Sequence, residues 1–417
     1  MAGSGFADVP VSPPNYVFHL QAQYKVDTSK DKINLGIGAY KTEEGKTYIL
    51  DVVKKAERAV MNDPNIDKEY LPICGDPEFV NLSQKLILGS SSSVIAEGRV
   101  CGAQAVSGTG ALRLCAEFIS QWLPNSMVMI SDPTWENHSE ILKRARVPYA
   151  TYRYWDNDKR GLNLDGMIED ILCAPNHSVI LLHACAHNPT GVDPTKEQWA
   201  QIAAAMKTKS HYAFFDSAYQ GFATGDLDND AWAVRYFADK NFEMFLAQSF
   251  SKNLGLYGER VGCASIVCAN KSVMPSVSSQ LPLLIRPMYS NPPKHGMYIA
   301  KFILSNPNLF EEWKKELSVM SNRIFSMRQL LYDELVKLKT PSPSGDWKHI
   351  ITQIGMFSFT GLTPAQAEKM VKQYHVYMFD NGRISMPGLT KASAPYLAQS
   401  IHNVVMSRDT EKSVSAL

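Results

Sequence analysis

The stretch Ser249-Phe250-Ser251-Lys252-Asn253-Leu254-Gly255-Leu256-Tyr257-Gly258-Glu259-Arg260-Val261-Gly262 lies between two apolar runs, Phe242 to Ala247 and Val261 to Cys268. That placement makes it a connection between two buried strands. It holds one lysine, Lys252, among serines and glycines, with Arg260 further on. A lysine at an apolar strand end is a candidate for a lowered pKa and a nucleophilic amine. Glycines let backbone approach a ligand, and an arginine can clamp an anion. Taken alone, a lysine in a glycine-containing loop is ordinarily a solvated one, so the rest of the chain has to decide.

Toward the N-terminus the same pattern repeats. Gln104-Ala105-Val106 predicts a short strand that runs into Ser107-Gly108-Thr109-Gly110 and a helix carrying Leu112, Cys115, Phe118 and Ile119 on one face. Met127 to Ile130 predicts a strand ending in Asp132-Pro133-Thr134-Trp135. Val179 to His183 ends in Ala184-Cys185-Ala186-His187-Asn188-Pro189, and Tyr212 to Phe215 ends in Asp216-Ser217-Ala218-Tyr219. Helices are expected over 51–62, Pro77 to Leu88 and about Thr195 to Met206. The alternation predicts an α/β fold with an open, mainly parallel sheet flanked by helices. In such sheets ligands bind beyond the carboxyl ends of the strands. Thr109, Trp135, Asn188, Asp216, Tyr219 and Lys252 all collect there.

The two ends of the chain read differently. Residues 1 to 15 are rich in Gly, Ser and Pro and predict an extended arm. A helix near Tyr16 to Tyr24 follows, and then Ile33 to Tyr40, a short strand opening into a glycine loop. Beyond a long amphipathic helix from about Asn308 to Leu338, residues 350–408 read as a smaller α+β unit, with Phe357 and Phe359 on a strand and a last helix from about Ala392 to Met406.

The whole-chain properties exclude several classes. The 417 residues suffice for about two domains. Forty-two Lys and Arg nearly balance 41 Asp and Glu, so no charge excess points to nucleic acid or to an anionic membrane. The seven cysteines lack paired CxxC spacing, which argues against a zinc site and for a reducing compartment. No apolar stretch approaches membrane-spanning length. The N-terminus shows no apolar or Arg-rich targeting pattern, and Ser415-Ala416-Leu417 lacks the basic residue of an SKL-type signal. The cytoplasm is the expected place.

Read as one site, the strand ends have the parts that pyridoxal phosphate needs. Lysine forms a Schiff base with an aldehyde. Ser107, Gly108, Thr109, Ser249 and Arg260 make an anion cup at a helix start. Asp216 can keep a pyridinium nitrogen protonated, Asn188 and Tyr219 can bond a phenolic oxygen, and Trp135 can stack on the ring. A dinucleotide dehydrogenase would require a glycine fingerprint that the SGTG turn lacks. A non-enzymatic binding protein on this fold would not need both Lys252 and Asp216.

These residues sit in long motifs: SGTGALRL from Ser107, PTWENH from Pro133, HACAHNPTG from His183, FFDSAYQGFA from Phe214, SNPP from Ser290 and IGMFSFTGL from Ile354. With the Lys252 stretch they resemble the aspartate aminotransferase family, class I aminotransferases of pyridoxal phosphate fold type I, nearly end to end. The resemblance implies a large cofactor-binding domain over 48–320, a small domain made of 16–47 and 321–417, and an N-terminal arm over 1–15 that contacts a partner subunit. It makes Lys252 the cofactor-bonding lysine and proton carrier, and Asp216 the partner of the ring nitrogen. Asn188, Tyr219, Trp135 and the Ser107 cup fall to the cofactor. Arg383, aided by Gly38 and Asn188, would grip the substrate α-carboxylate. Tyr70 and Arg286 would reach the site from the other subunit of a homodimer, with Arg286 on the side-chain carboxylate. The bonds before Pro133 and Pro189 are expected to be cis.

The implied reaction interconverts aspartate and 2-oxoglutarate with oxaloacetate and glutamate by a ping-pong scheme. The alternative is a broad-specificity transaminase that also takes aromatic amino acids. A decarboxylase or lyase on the same fold is disfavoured by the two arginines. The run Arg383-Ile384-Ser385-Met386-Pro387-Gly388, and Cys74 and Asp76 after Tyr70, depart from the family pattern and bear on substrate range.

Overall fold

The computed structural model describes residues 4–12, 15–342 and 345–407. The tripeptide at 415–417 and parts of the N-terminal arm lie outside them.

Seven strands form the central sheet: β1 (Val100–Val106), β2 (Val128–Asp132), β3 (Tyr149–Arg153), β4 (Val179–His183), β5 (Tyr212–Ser217), β6 (Met244–Ser249) and β7 (Val261–Val267). Their order across the sheet is β1-β7-β6-β5-β4-β2-β3. Neighbours from β6 through β3 are parallel, whereas β7 is antiparallel to both β6 and β1. Six strands therefore share one direction, and β7 alone runs back between two of them. This reversal starts β7 at the edge where the other strands finish. The whole Lys252 loop thus stays at the carboxyl edge of the sheet.

Alternation of side chains sends neighbouring residues to opposite faces. Phe214, Phe245 and Ala247 pack with Leu112, Cys115, Phe118 and Ile119 of the helix Ser107–Trp122. Phe215 and Leu246 pack on the other face with Trp199, Ile202 and Met206 of the helix Lys196–Thr208. Both faces are covered, which is why these strands read as continuous apolar runs. Burying each such large side chain contributes about 1.5–3 kcal/mol. Sequence and structure agree closely on these elements.

The long helix Pro307–Lys337 buries Trp313, Leu317, Met320, Ile324, Met327 and Leu331 in a third core, which also receives Leu397 and Ile401 of the last helix Ser393–Met406. The chain ends meet there. Ile33–Asn34 pairs in parallel with Val376–Tyr377, and Phe357–Phe359 pairs antiparallel with Arg383–Ser385. Arg328, fully buried on the long helix, donates to the carbonyls of Ile350, Gly355 and Phe357. It anchors the strand that carries Phe357 without a carboxylate partner.

The short strand expected from Ile33 onward is Ile33–Asn34, and the chain then opens into the expected glycine loop. Past them the Gly36 carbonyl accepts from Arg383 Nη2 at 3.0 Å, so it serves the site rather than a sheet ladder.

Candidate active site

A cavity of about 460 Å³ opens at the carboxyl edge of the sheet. That size suits a cofactor or a small ligand. Its wall includes Gly38, Ser107, Gly108, Thr109, Trp135, Asn188, Asp216, Tyr219, Ser249, Lys252, Arg260 and Arg383. Every site residue expected from the sequence lines it except Tyr70 and Arg286. Tyr70 is 82% exposed on a loop, and Arg286 is exposed on the helix Met274–Tyr289, bonded to Ser290 Oγ.

One end of the cavity is an anion cup. Register pairs Val106 with Val261, so Ser107 and Arg260 follow one another just past the end of the β1–β7 ladder. Both have positive φ, 58° and 55°, unusual for side chains that are not glycine. Ser107 Oγ lies 3.0 Å from Ser249 Oγ and 2.7 Å from Ser251 Oγ, and Arg260 Nη1 donates to Ser251 Oγ at 3.3 Å. The helix Ser107–Trp122 has no side-chain cap, which leaves the first N–H groups, among them those of Gly108 and Thr109, for a bound anion. Gly262 makes the crossing possible, because a Cβ there would come within 2.5 Å of the Ser107 carbonyl carbon.

Lys252 projects from the loop over the Tyr219 ring, with Nζ 5.4 Å from its centroid. Desolvation pushes its pKa below the ordinary lysine range, and Arg260 and Arg383 push the same way, against the pull of Asp216. Burial thus makes this amine easier to deprotonate than an ordinary lysine, in the direction a nucleophile needs. Tyr219 is buried, and burial raises its phenol.

Asp216 ends β5 with Oδ2 3.0 Å from His138 Nε2. Burial alone would raise this carboxyl, but the His138 bond and nearby positive charge, Lys252 included, hold it below the usual range. It is an anion at neutral pH.

Behind it lies a network that sequence reasoning missed. The Asn188 N–H donates to His183 Nδ1 at 3.0 Å, which makes that nitrogen an acceptor. Burial lowers His183 to about 3, so the ring is neutral and carries its proton on Nε2. That proton faces Thr134 Oγ1 at 3.4 Å, and the Thr134 hydroxyl can then donate to His138 Nδ1 at 2.8 Å. His138 is left with its proton on Nε2, facing Asp216. His187 stacks on His183 with centroids 4.1 Å apart and binds Ser131 Oγ at 2.9 Å and Thr190 Oγ1 at 2.7 Å. These histidines stood in the quoted motifs, but nothing in their spacing disclosed that they touch.

Arg383 also lines the cavity. Nη1 donates to Asn188 Oδ1 at 3.2 Å, whereas buried Nε has no partner. Desolvation lowers the guanidinium to about 10, still a cation at neutral pH. The bonds Asp132–Pro133 and Asn188–Pro189 are cis, as expected.

A desolvated amine, a serine-rich anion cup, a carboxylate locked as an anion and a carboxylate-seeking arginine share one cavity. These residues fit pyridoxal phosphate, and they define an enzyme acting on amino or oxo acids. Comparison with known proteins points the same way. The family model "Aminotransferase class I and II" matches residues 30–401. The chloroplastic aspartate aminotransferase 3 of Arabidopsis thaliana is 51% identical over 97% of this chain and 89% of its own. The cytoplasmic aspartate aminotransferase of Saccharomyces cerevisiae superposes with a TM-score of 0.93 at 44% identity, covering 96% of this chain and 98% of its own. An aromatic-amino-acid aminotransferase from Burkholderia pseudomallei, solved covalently bound to pyridoxal phosphate, gives 0.93 at 39% identity, covering 97% and 100%. The chain belongs to the class I and II aminotransferase family.

Proposed function

We propose that this aminotransferase uses pyridoxal phosphate to exchange an amino group between L-aspartate and 2-oxoglutarate, yielding oxaloacetate and L-glutamate in two alternating half-reactions. The carrying observation is Arg383, a buried cation with an unpartnered Nε, facing the cavity that holds a desolvated Lys252. The similarity to aspartate aminotransferases over nearly the full chain supports the choice of substrate.

Bound in this cavity, pyridoxal phosphate supplies an aldehyde that takes up amino groups and a ring that withdraws electrons from the substrate Cα. Ser107, Gly108, Thr109, Ser249 and Arg260, joined by Ser251, would hold the phosphate. Asp216, oriented by His138, would keep the ring nitrogen protonated. Asn188 and Tyr219 would donate to the ring oxygen, and Trp135 would pack against the ring. Lys252 Nζ would anchor the cofactor and, once displaced by the substrate amino group, would be free to take and return the Cα proton. Arg383 binds the α-carboxylate beside Asn188 and Gly38.

Tyr70 and Arg286 lie outside the cavity of their own chain, which supports their service to the site of a partner in a homodimer, with Arg286 on the side-chain carboxylate. Two arginines for two carboxylates give specificity, because a substrate lacking one leaves a guanidinium unpaired. The second reading, a broad-specificity enzyme that also takes aromatic amino acids, draws support from the likeness to the Burkholderia pseudomallei protein. The division into a large domain over 48–320 and a small one from 16–47 and 321–417 is supported by the pairing of the chain ends. The likeness to cytoplasmic aspartate aminotransferases, the Saccharomyces cerevisiae enzyme among them, supports the cytoplasm as its place.

The test is spectroscopic. Aspartate added to the holoenzyme should bleach the cofactor's visible band, and 2-oxoglutarate should restore it. Lys252→Ala should abolish turnover. A band indifferent to aspartate, or an active Lys252→Ala variant, overturns the reading.

A further inference from the structure

We propose that Phe379 is a positioning residue for Arg383, holding the guanidinium plane edge-on to the substrate carboxylate. The inference rests on the reading of Arg383 as the α-carboxylate grip.

Two aromatic rings pack on Arg383. Its Cζ lies over the Phe357 ring, 4.3 Å from the centroid, and over the Phe379 ring, 3.7 Å from the centroid. With ring carbon that close to Cζ, the edge of the guanidinium is what is left to meet a ligand. Bidentate binding of a carboxylate needs that edge in the right plane. Two in-plane N–H groups are already spent on Asn188 Oδ1 and the Gly36 carbonyl, which fixes the in-plane rotation. The two rings fix the tilt.

The rings have different roles. Phe357 lines the cavity and is held from several sides. Tyr219 meets it edge-on at 6.0 Å, and a Cβ on Gly38 would come within 2.7 Å of its Cζ. Phe379 is absent from the cavity wall and only 6% exposed, so it touches neither substrate nor cofactor. Its outer side is covered by Tyr16, whose ring lies 5.4 Å away at 55°. Tyr16 opens the helix Tyr16–Val26, and its neighbours Asn15, Val17 and Phe18 line the cavity. The stack Phe357–Arg383–Phe379–Tyr16 thus ties the first turn of that helix to the orientation of the arginine.

The experiment measures KM and kcat for aspartate and 2-oxoglutarate, with cofactor content and Tm, on Phe379→Leu, Phe379→Tyr, Tyr16→Ala and Arg383→Lys. Losing one aromatic face should raise KM for both substrates about three- to thirtyfold, the range set by one cation–π contact. The fall in kcat should be smaller, since the chemistry lies elsewhere. Phe379→Tyr keeps the aromatic face and should stay within about twofold of wild type by the same measure. Tyr16→Ala should raise both KM values less, and should add nothing in a Phe379→Leu background. Wild-type KM in Phe379→Leu, or equal impairment by Leu and Tyr, overturns the inference. Wild-type KM in Arg383→Lys overturns instead the reading on which it rests. Tyr16→Ala changes an outer contact, so it decides the matter even where Phe379→Leu folds poorly.

Discussion

His138 Nε2 stands 3.0 Å from Asp216 Oδ2, and the proton on that bond is set by the backbone N–H of Asn188. The order runs from Asn188 to His183, Thr134, His138 and Asp216, each link fixing which nitrogen of the next ring is free. The carboxylate at the end of β5 is therefore oriented from behind by His138, Thr134 and His183, none of which lines the cavity.

Thr134→Val removes the middle link. His138 is then free to take its other tautomer, which turns an acceptor toward Asp216. Losing one charge-assisted hydrogen bond of about 1.5–3 kcal/mol corresponds to a fall in kcat on the order of ten- to a hundredfold. Thr134→Ser keeps the hydroxyl and should retain most activity. Steady-state kinetics with both variants check this, and equal activity of the valine and serine variants contradicts it.

Asp193 accepts from the N–H groups of Ala186 and His187, yet burial outweighs those bonds and raises its carboxyl from 3.8 to about 6. The native state then holds a proton that the unfolded chain releases at lower pH. Between about 4 and 6 the native state binds more protons, so this group's contribution to stability falls as pH rises through that window. Asp193→Asn should flatten that part of the stability profile, by on the order of 1–3 kcal/mol. Denaturant unfolding at several pH values measures it. An unaltered slope would show that the carboxyl titrates normally.

Tyr70 and Arg286 lie outside the cavity lined by Lys252. If they serve the partner's site, inactive Lys252→Ala and aspartate-impaired Arg286→Leu dimers should complement one another. Subunit exchange would create hybrids in which one site has both residues intact. Aspartate activity should appear on mixing and co-refolding. Mixtures no more active than their parents would mean that Arg286 acts within its own chain.

A Cβ on Gly262 would lie 2.5 Å from the Ser107 carbonyl carbon and 2.6 Å from the Gln248 carbonyl oxygen, both rigid backbone. Gly262→Ala should cost about 1–3 kcal/mol by overpacking. Because the displaced residue is Ser107, the holoenzyme should also lose cofactor faster on dialysis. Gly258→Ala, with nothing within 4 Å of its Cβ, is the control expected to be near neutral. Tm and cofactor retention for the pair decide it.

The sequence by itself determined the elements and most of the cavity wall. Val179–His183 was legible because a strand covered on both faces is apolar throughout, a local property. Ser107, Asn188, Asp216 and Lys252 were legible because each follows such a run, and strand ends in a parallel sheet share one edge. The family resemblance assigned their roles. Tertiary structure alone decided what depends on distant partners. The reversed β7 between β1 and β6 follows from pairing across the sheet, which no apolar pattern encodes. The glycine loop after Ile33 was legible, but not that its Gly36 carbonyl is taken by Arg383, 347 residues away. His138, His183 and Thr134 form one proton-ordering chain only because β2, β4 and β5 bring their ends together. The Lys252 loop supplies a nucleophile for the same reason. Its amine is ordinary in sequence, and its lowered pKa comes from folding, which removes water and brings Arg260 and Arg383 close.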